Sequence, residues 1–152
     1  VLQAKCGELN IQAYEYNNYF SKITSVNSYF KANMELLDPA NASQLYLPKR
    51  SIYTKVSDNA PAKYDLNCSV KNSLIADGCI IEGEVENSVI FRGVKIGKNA
   101  RVRNCILMQG TVVGDGAECN YLITDKNVTI GSGHILTSAP TYPMYVAKGA
   151  GV

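Results

Sequence analysis

The chain has 152 residues, 46% hydrophobic and 18% charged, with 15 Lys and Arg against 13 Asp and Glu for a net charge of +2. That is apolar material for one packed domain and argues against a globally disordered chain. The small net charge gives no bulk electrostatic reason to bind nucleic acid, and no apolar run approaches the roughly 18 residues that cross a bilayer. Neither a nucleic acid nor a membrane is therefore an expected partner. The start, Val1-Leu2-Gln3-Ala4-Lys5, has no signal-peptide pattern and no initiator Met, so the chain is expected to begin inside a longer protein. Cys6, Cys68, Cys79, Cys105 and Cys119 are odd in number and contain no C-x-x-C pair. They read as reduced thiols of a cytoplasmic protein rather than as disulfides or zinc ligands.

In chain order, Ile11, Ala13 and Tyr14-Glu15-Tyr16 suggest a strand that must pair with something outside this stretch. Residues 23–37 follow as an amphipathic helix: Ser25 can cap it, and Val26, Tyr29, Phe30, Met34 and Leu37 recur at helical spacing. Asp38-Pro39 stops that helix and opens a short second one through Leu45, since proline suits a first helical position. Composition then changes. Residues 1–77 hold one glycine and residues 78–133 hold nine, while seven of the ten tyrosines precede residue 70. A boundary near residues 65–70 follows.

Beyond it the sequence repeats. Gly78-Cys79-Ile80-Ile81-Glu82, Gly93-Val94-Lys95-Ile96-Gly97, Gly110-Thr111-Val112-Val113-Gly114 and Asn127-Val128-Thr129-Ile130-Gly131 share one pattern, their anchors 15, 17 and 17 residues apart. A second pattern, Asn-x-[LIV]-[IL], keeps step from Asn72, Asn87, Asn104 and Asn120. This period is too short for helix-pair repeats and suits three short strands per coil, joined by corners where Gly and Asn accept positive φ. Ile81, Ile96, Val113 and Ile130 should stack as an inward ladder. Val85, Ala100, Ala117 and His134 should form the next row, and Glu86, Arg101 and Glu118 an alternating-charge row outside. The predicted fold is mainly all-β, a parallel β-helix of hexapeptide repeats preceded by the strand and the amphipathic helix. The linker at 48–68 should meet its lower end and residues 134–152 its upper end.

The chemistry is sparse. No Walker-type loop or G-x-G-x-x-G turn is present. Arg92, Lys95, Lys98, Arg101 and Arg103 fall on different faces of a triangular coil and read as solvated. His134 is the single histidine and the only ordinary general base near neutral pH. A stand-alone trimeric hexapeptide-repeat acyltransferase using His134 is the alternative reading, but its row position favours a last-coil role over catalysis.

The segment from Tyr64 to Gly131, with Asn72-Ser73-Leu74-Ile75-Ala76-Asp77-Gly78-Cys79 and Ile123-Thr124-Asp125-Lys126-Asn127, resembles the carboxyl-terminal β-helix of ADP-glucose pyrophosphorylase (glucose-1-phosphate adenylyltransferase). Ala60-Pro61-Ala62-Lys63-Tyr64 is similar to that family's P-P-A-K-F linker, and Ser28 to Leu37 to its Y-x-x-A-N-x-x-L-L helix. Asn33-Met34 and Ile52-Tyr53-Thr54-Lys55 look most like the GlgD-type subunit. The resemblance implies a left-handed coil and a division into 1–22, a remnant of the nucleotidyltransferase domain, 23–68, helix and linker, and 69–152, the β-helix. It implies a non-catalytic regulatory and oligomerisation part of a glycogen-biosynthesis enzyme that joins ATP and glucose 1-phosphate into ADP-glucose and pyrophosphate. The expected partners are the catalytic pyrophosphorylase subunit, in a homo- or hetero-oligomer, and a phosphate or sugar-phosphate effector. The family's G-G-x-G-T-R-L nucleotide loop is absent. Lys22 stands where its Y-W-x-D-[IV]-G-T motif has a magnesium-binding Asp, and Mg²⁺ wants oxygen ligands. No cofactor is expected in this chain, and Mg²⁺ belongs to a catalytic partner subunit. The implied effector-binding candidates are Asp125 and Lys126 in the D-K-N turn and Lys148 in Val146-Ala147-Lys148; no catalytic or metal residue is assigned.

Overall fold

A computed structural model describes residues 2–152. Three parallel sheets of five strands each form the sides of a triangular coil. The first face stacks β1 (Lys63–Tyr64), β4 (Ile80–Ile81), β7 (Lys95–Ile96), β10 (Val112–Val113) and β13 (Thr129–Ile130). The second stacks β2 (Ser69–Lys71), β5 (Glu84–Glu86), β8 (Arg101–Arg103), β11 (Glu118–Asn120) and β14 (Ile135–Thr137). The third stacks β3 (Leu74–Ile75), β6 (Val89–Ile90), β9 (Ile106–Leu107), β12 (Leu122–Thr124) and β15 (Met144–Val146). The anticipated parallel β-helix is therefore present, and its pairing already begins at Lys63, which faces Ile80.

Corner chemistry explains the repeat. Gly78, Gly93, Gly110 and Asn127 all take positive φ, between 58° and 73°, at the corner that feeds the first face. Asn72, Asn87 and Asn104 do the same at the corner that feeds the third. At these positions an ordinary side chain would strain the backbone, whereas Gly and Asn tolerate it. Ile81, Ile96, Val113 and Ile130 stack in register and are fully buried, as the pattern requires. Burying one such side chain contributes about 1.5–3 kcal/mol relative to leaving it exposed.

Two rows differ from the sequence expectation for one reason. Val85 faces Val102, with Cys119 and Leu136 above, and does not share a row with Ala100 and Ala117. Likewise Arg101 stands between Glu84 and Glu118, while Glu86 faces Arg103. The coil holding Glu82-Gly83 cuts its corner short by two residues. Constant spacing after Ile81 therefore misplaces everything on the second face. Gly83 allows the shortcut: a Cβ there would lie on the Ala100 carbonyl oxygen and 2.7 Å from that of Gly97. A third difference sits two coils higher. Tyr121, with φ 53°, makes the corner in place of Asn120, which lies within β11 and accepts a hydrogen bond from the Asn104 amide at 3.0 Å.

Before the coil, α1 (Leu2–Lys5) is a single turn that the sequence reading did not foresee. No strand forms over Ile11–Tyr16; residues 10–24 run without helix or strand, and Ile11, Tyr14 and Tyr16 are exposed. A strand needs a neighbour for its N–H and C=O groups, and none is offered among the described residues. The amphipathic helix is α2 (Val26–Glu35), narrower than 23–37 at both ends. Ser25 and Ser28 cap it reciprocally, Ser28 N–H donating to the Ser25 hydroxyl at 3.1 Å and Ser25 N–H to the Ser28 hydroxyl at 2.8 Å. The short second helix, α3 (Pro39–Leu45), is capped by Asp38, whose carboxylate accepts from Ala40 N–H at 2.9 Å.

Strand alternation on the third face fixes α2. Leu107 and Leu122 point into the coil, so Ile106 and Ile123 point out and are buried against Phe30. Tyr29, Met34, Val89 and Tyr121 border this second core. Both ends of the coil are covered as expected. Gly78 N–H donates to the linker's Ala60 carbonyl at 2.6 Å, and Gly151 bridges Thr129 at the top.

Candidate functional site

The corner leaving the third face is a column of hydrogen-bonded turns. Gly93 N–H donates to Asp77 O, Gly110 N–H to Arg92 O, Asn127 N–H to Gln109 O and Gly149 N–H to Lys126 O, at 2.9–3.1 Å. Asp77, Arg92, Gln109, Lys126 and Lys148 therefore stack on successive coils, about 4.8 Å apart. Low in the column the charge is spent. Arg92 pairs with Asp77 at 3.1 Å and donates to the Lys55 carbonyl at 2.7 Å, fastening the linker. Asp77 is held below the usual carboxylate range, chiefly by the Asn59 side chain and further by Arg92.

High in the column the charge is open. Lys126 and Lys148 are exposed, and neither joins an ion pair among the described residues. Asp125 orders this corner. Its N–H donates to Val146 O at 2.9 Å, and its carboxylate accepts from Lys126 N–H at 2.7 Å and from the Tyr145 hydroxyl at 3.1 Å. The Lys126 N–H bond holds the Asp125 carboxyl below its ordinary range, with Tyr145 and the charges of Lys126 and Lys148 adding to it. The hydrogen bond that Tyr145 donates to Asp125 pushes its phenol up. Beneath, Thr124 points inward and shares a buried hydroxyl contact of 2.9 Å with Thr111, which braces the turn.

The three residues read from the sequence are thus brought together on adjacent coils. Tyr145 was missed. It faces Ile123 across 22 residues because the loop 138–143 lengthens the last coil, so no repeat motif marks it. Tyr145 also borders a cavity of about 590 Å³ between the start of α2 and that loop, with Ser25, Asn27, Ser138 and Tyr142 in its wall.

The other sequence candidates lie elsewhere. His134 takes the last-coil position above Ala100 and Ala117 and is exposed; its ring nitrogen Nδ1 lies 3.3 Å from the Ser132 carbonyl oxygen. Lys22 is exposed in the extended segment before α2. The basic run is dispersed, with Arg101 beside Glu84 and Glu118 and Arg103 beside Glu84 and Glu86. Among the described residues no group of three His, Cys, Asp or Glu is placed to hold a metal, and no helix is long and apolar enough to cross a membrane.

Residues 58–140 match the family model described as GlmU-like, C-terminal hexapeptide. The chain belongs to that family. Over 148 residues, 97% of its length, this hexapeptide-family chain is 47% identical to the glycogen biosynthesis protein GlgD of Bacillus subtilis (strain 168), and covers 43% of that protein. Over 71 residues, 47% of the chain, it is 59% identical to the GlgD of Geobacillus stearothermophilus, covering 21% of it. Over 90 residues, 59% of the chain, it is 42% identical to the glucose-1-phosphate adenylyltransferase of Clostridium acetobutylicum, covering 23% of it. The similarity to the GlgD-type proteins read from motifs thus extends over nearly the whole chain. The chain spans less than half the length of these curated relatives.

Proposed function

We propose that the chain is the regulatory and assembly part of an ADP-glucose pyrophosphorylase subunit of the GlgD type, acting in glycogen biosynthesis in the cytoplasm. The observation that carries this reading is the 47% identity to a glycogen biosynthesis protein across helix, linker and coil together. Lys22 at the family's magnesium position supports a non-catalytic role, because an ammonium repels the divalent cation that a carboxylate would hold. Catalysis and Mg²⁺ then belong to a partner subunit.

The effector site of this reading is the upper corner. Lys126 and Lys148 present two ammonium groups from adjacent coils, suited to the oxygens of one phosphate. Asp125 fixes the turn through two hydrogen bonds, and Tyr145 links it to the cavity beside α2, where the sugar of a sugar phosphate would lie. Titrating the chain with fructose bisphosphate while following amide chemical shifts tests it. Binding in the millimolar range, about −4 kcal/mol, is expected, weakening with salt and lost in Lys126→Ala without a change in melting temperature. Shifts remote from Lys126 and Lys148, or unchanged in the variant, would refute the site. Purified chain given ATP, Mg²⁺ and glucose 1-phosphate should form no ADP-glucose.

A further inference from the structure

A second concavity lies on the opposite edge of the third face, under the turn joining α2 to α3. This groove of about 580 Å³ is within the range of small-molecule sites, roughly 300–1,000 Å³. Its wall is the asparagine corner, with Asn72, Asn87 and Asn104 on three successive coils, and its floor holds Phe30 and Tyr121. The two rings are 6.1 Å apart and tilted by 50°.

The asparagine ladder is incomplete. The Asn72 amide donates to Asn87 at 2.7 Å and the Asn104 amide to Asn120 at 3.0 Å, but no hydrogen bond joins Asn87 to Asn104 among the described residues. Asn87 and Asn104 both line the groove, and the Asn87 amide N–H and the Asn104 amide oxygen have no protein partner among the described residues. No Lys or Arg lines it, and Asp38 is its single charged residue, so anions are disfavoured there. Neutral amides offer a donor and an acceptor side by side, which matches adjacent hydroxyl groups. The half-buried Tyr121 ring, backed by the buried Phe30, offers an aromatic surface suited to the apolar C–H face of a sugar. The coil spacing of about 4.8 Å is comparable to the span of one pyranose ring, so successive asparagines can meet successive sugar units.

We propose that this groove binds a short segment of neutral α-linked glucan. The choice of α-glucan among neutral sugars rests on the glycogen reading above; the groove's preference for an uncharged polyhydroxylated ligand rests on its own residues. The site is separate from the lysine corner, so a glucan and a phosphate effector can be bound together.

The test is titration of the 152-residue chain with maltohexaose, with cellohexaose and fructose bisphosphate as comparison ligands, read by amide chemical shifts. Saturable shifts at Asn87, Asn104 and Tyr121 with maltohexaose are expected, with about tenfold weaker binding of cellohexaose. Asn87→Gly and Asn104→Gly keep the positive-φ corner and remove the amides; each should weaken maltohexaose binding about tenfold and leave fructose bisphosphate shifts unchanged. Unaltered chemical shifts in the rest of the coil verify that each variant folds. Absence of maltohexaose shifts, equal response to cellohexaose, or full binding by both folded glycine variants would overturn the proposal. Because fructose bisphosphate reads the lysine corner independently, failure here is distinguishable from failure of the regulatory reading.

Discussion

Gly83 and Gly93 are glycines for different reasons, and the difference is measurable. Gly93 has open space but a φ of 67°, so Gly93→Ala should cost about 1 kcal/mol in backbone strain. Gly83 has no room, because its Cβ would meet backbone oxygens that cannot swing aside. Gly83→Ala should therefore cost more, about 2–3 kcal/mol, by forcing two coils apart. Urea unfolding of the two variants should preserve that order, and the reverse order would contradict the shortened corner. In the core ladder, Ile96→Asp would bury an unpaired carboxylate and cost several kcal/mol, about 4 or more. Exposed Lys98→Gln should change stability by less than about 0.5 kcal/mol. At the lysine corner, the lowered Asp125 value means that its bond contributes above the ordinary carboxylate pKa and is lost as pH falls through the lowered one. The raised Tyr145 value means the contribution is complete below about pH 10 and lost as pH rises past it. Tyr145→Phe should move the Asp125 pKa upward toward its ordinary value. A carboxyl carbon-13 titration reads this directly, and an unmoved value would remove Tyr145 from the site.

At the level of elements, α2 is held by one aromatic anchor and one cap. Phe30→Ala would leave a cavity over Ile106 and Ile123 and cost about 3 kcal/mol. Ser25→Ala removes the reciprocal cap and should cost about 1 kcal/mol. The coil has a separate core, with Ile90, Leu107 and Leu122 facing inward. In Phe30→Ala the amides of α2 should exchange faster while those of β9 and β12 stay protected. If exchange accelerates equally in both, α2 and the coil form one cooperative unit rather than a docked helix on a solenoid.

For the whole molecule, stacking of coils sets what solvent reaches. Cys79, Cys105 and Cys119 are buried, Cys68 is half-buried and Cys6 is exposed. Burial pushes the Cys105 thiol up and that of Cys119 up to about 12, so neither supplies thiolate at neutral pH. Native alkylation should modify Cys6 first, Cys68 next, and the three core thiols only after unfolding. Mass spectrometry after a timed pulse checks the order, and early labelling of Cys105 would mean that the coils open. Leu9, Tyr14 and Phe20, in and just before the extended segment that leads to α2, expose apolar side chains.

The repeat, the inward ladder and the corners at Gly78, Gly93, Gly110 and Asn127 were legible in the sequence, because each depends on one residue type and its nearest copies along the chain. The cap at Ser25 and the helix start at Asp38-Pro39 were legible for the same reason, being set within two or three residues; that the Asp38 carboxylate itself caps α3 came from the structure. The strand expected at Ile11–Tyr16 did not form, since a strand is decided by its neighbour rather than by its own alternation. The row containing Val85 and Glu84 was misread because the 15-residue interval from Ile81 to Ile96, two shorter than the next, shows that residues are missing but not that the corner at Gly83 is where they are lost. Asp125, Lys126 and Lys148 could be picked by resemblance to family motifs, but their meeting on adjacent coils, and the hydrogen bond of Tyr145 to Asp125, required the chain to stack through a lengthened last turn. Sequence determined the local geometry of each coil; the alignment of one coil on the next, which builds every shared surface here, was decided by packing across 15 to 22 residues.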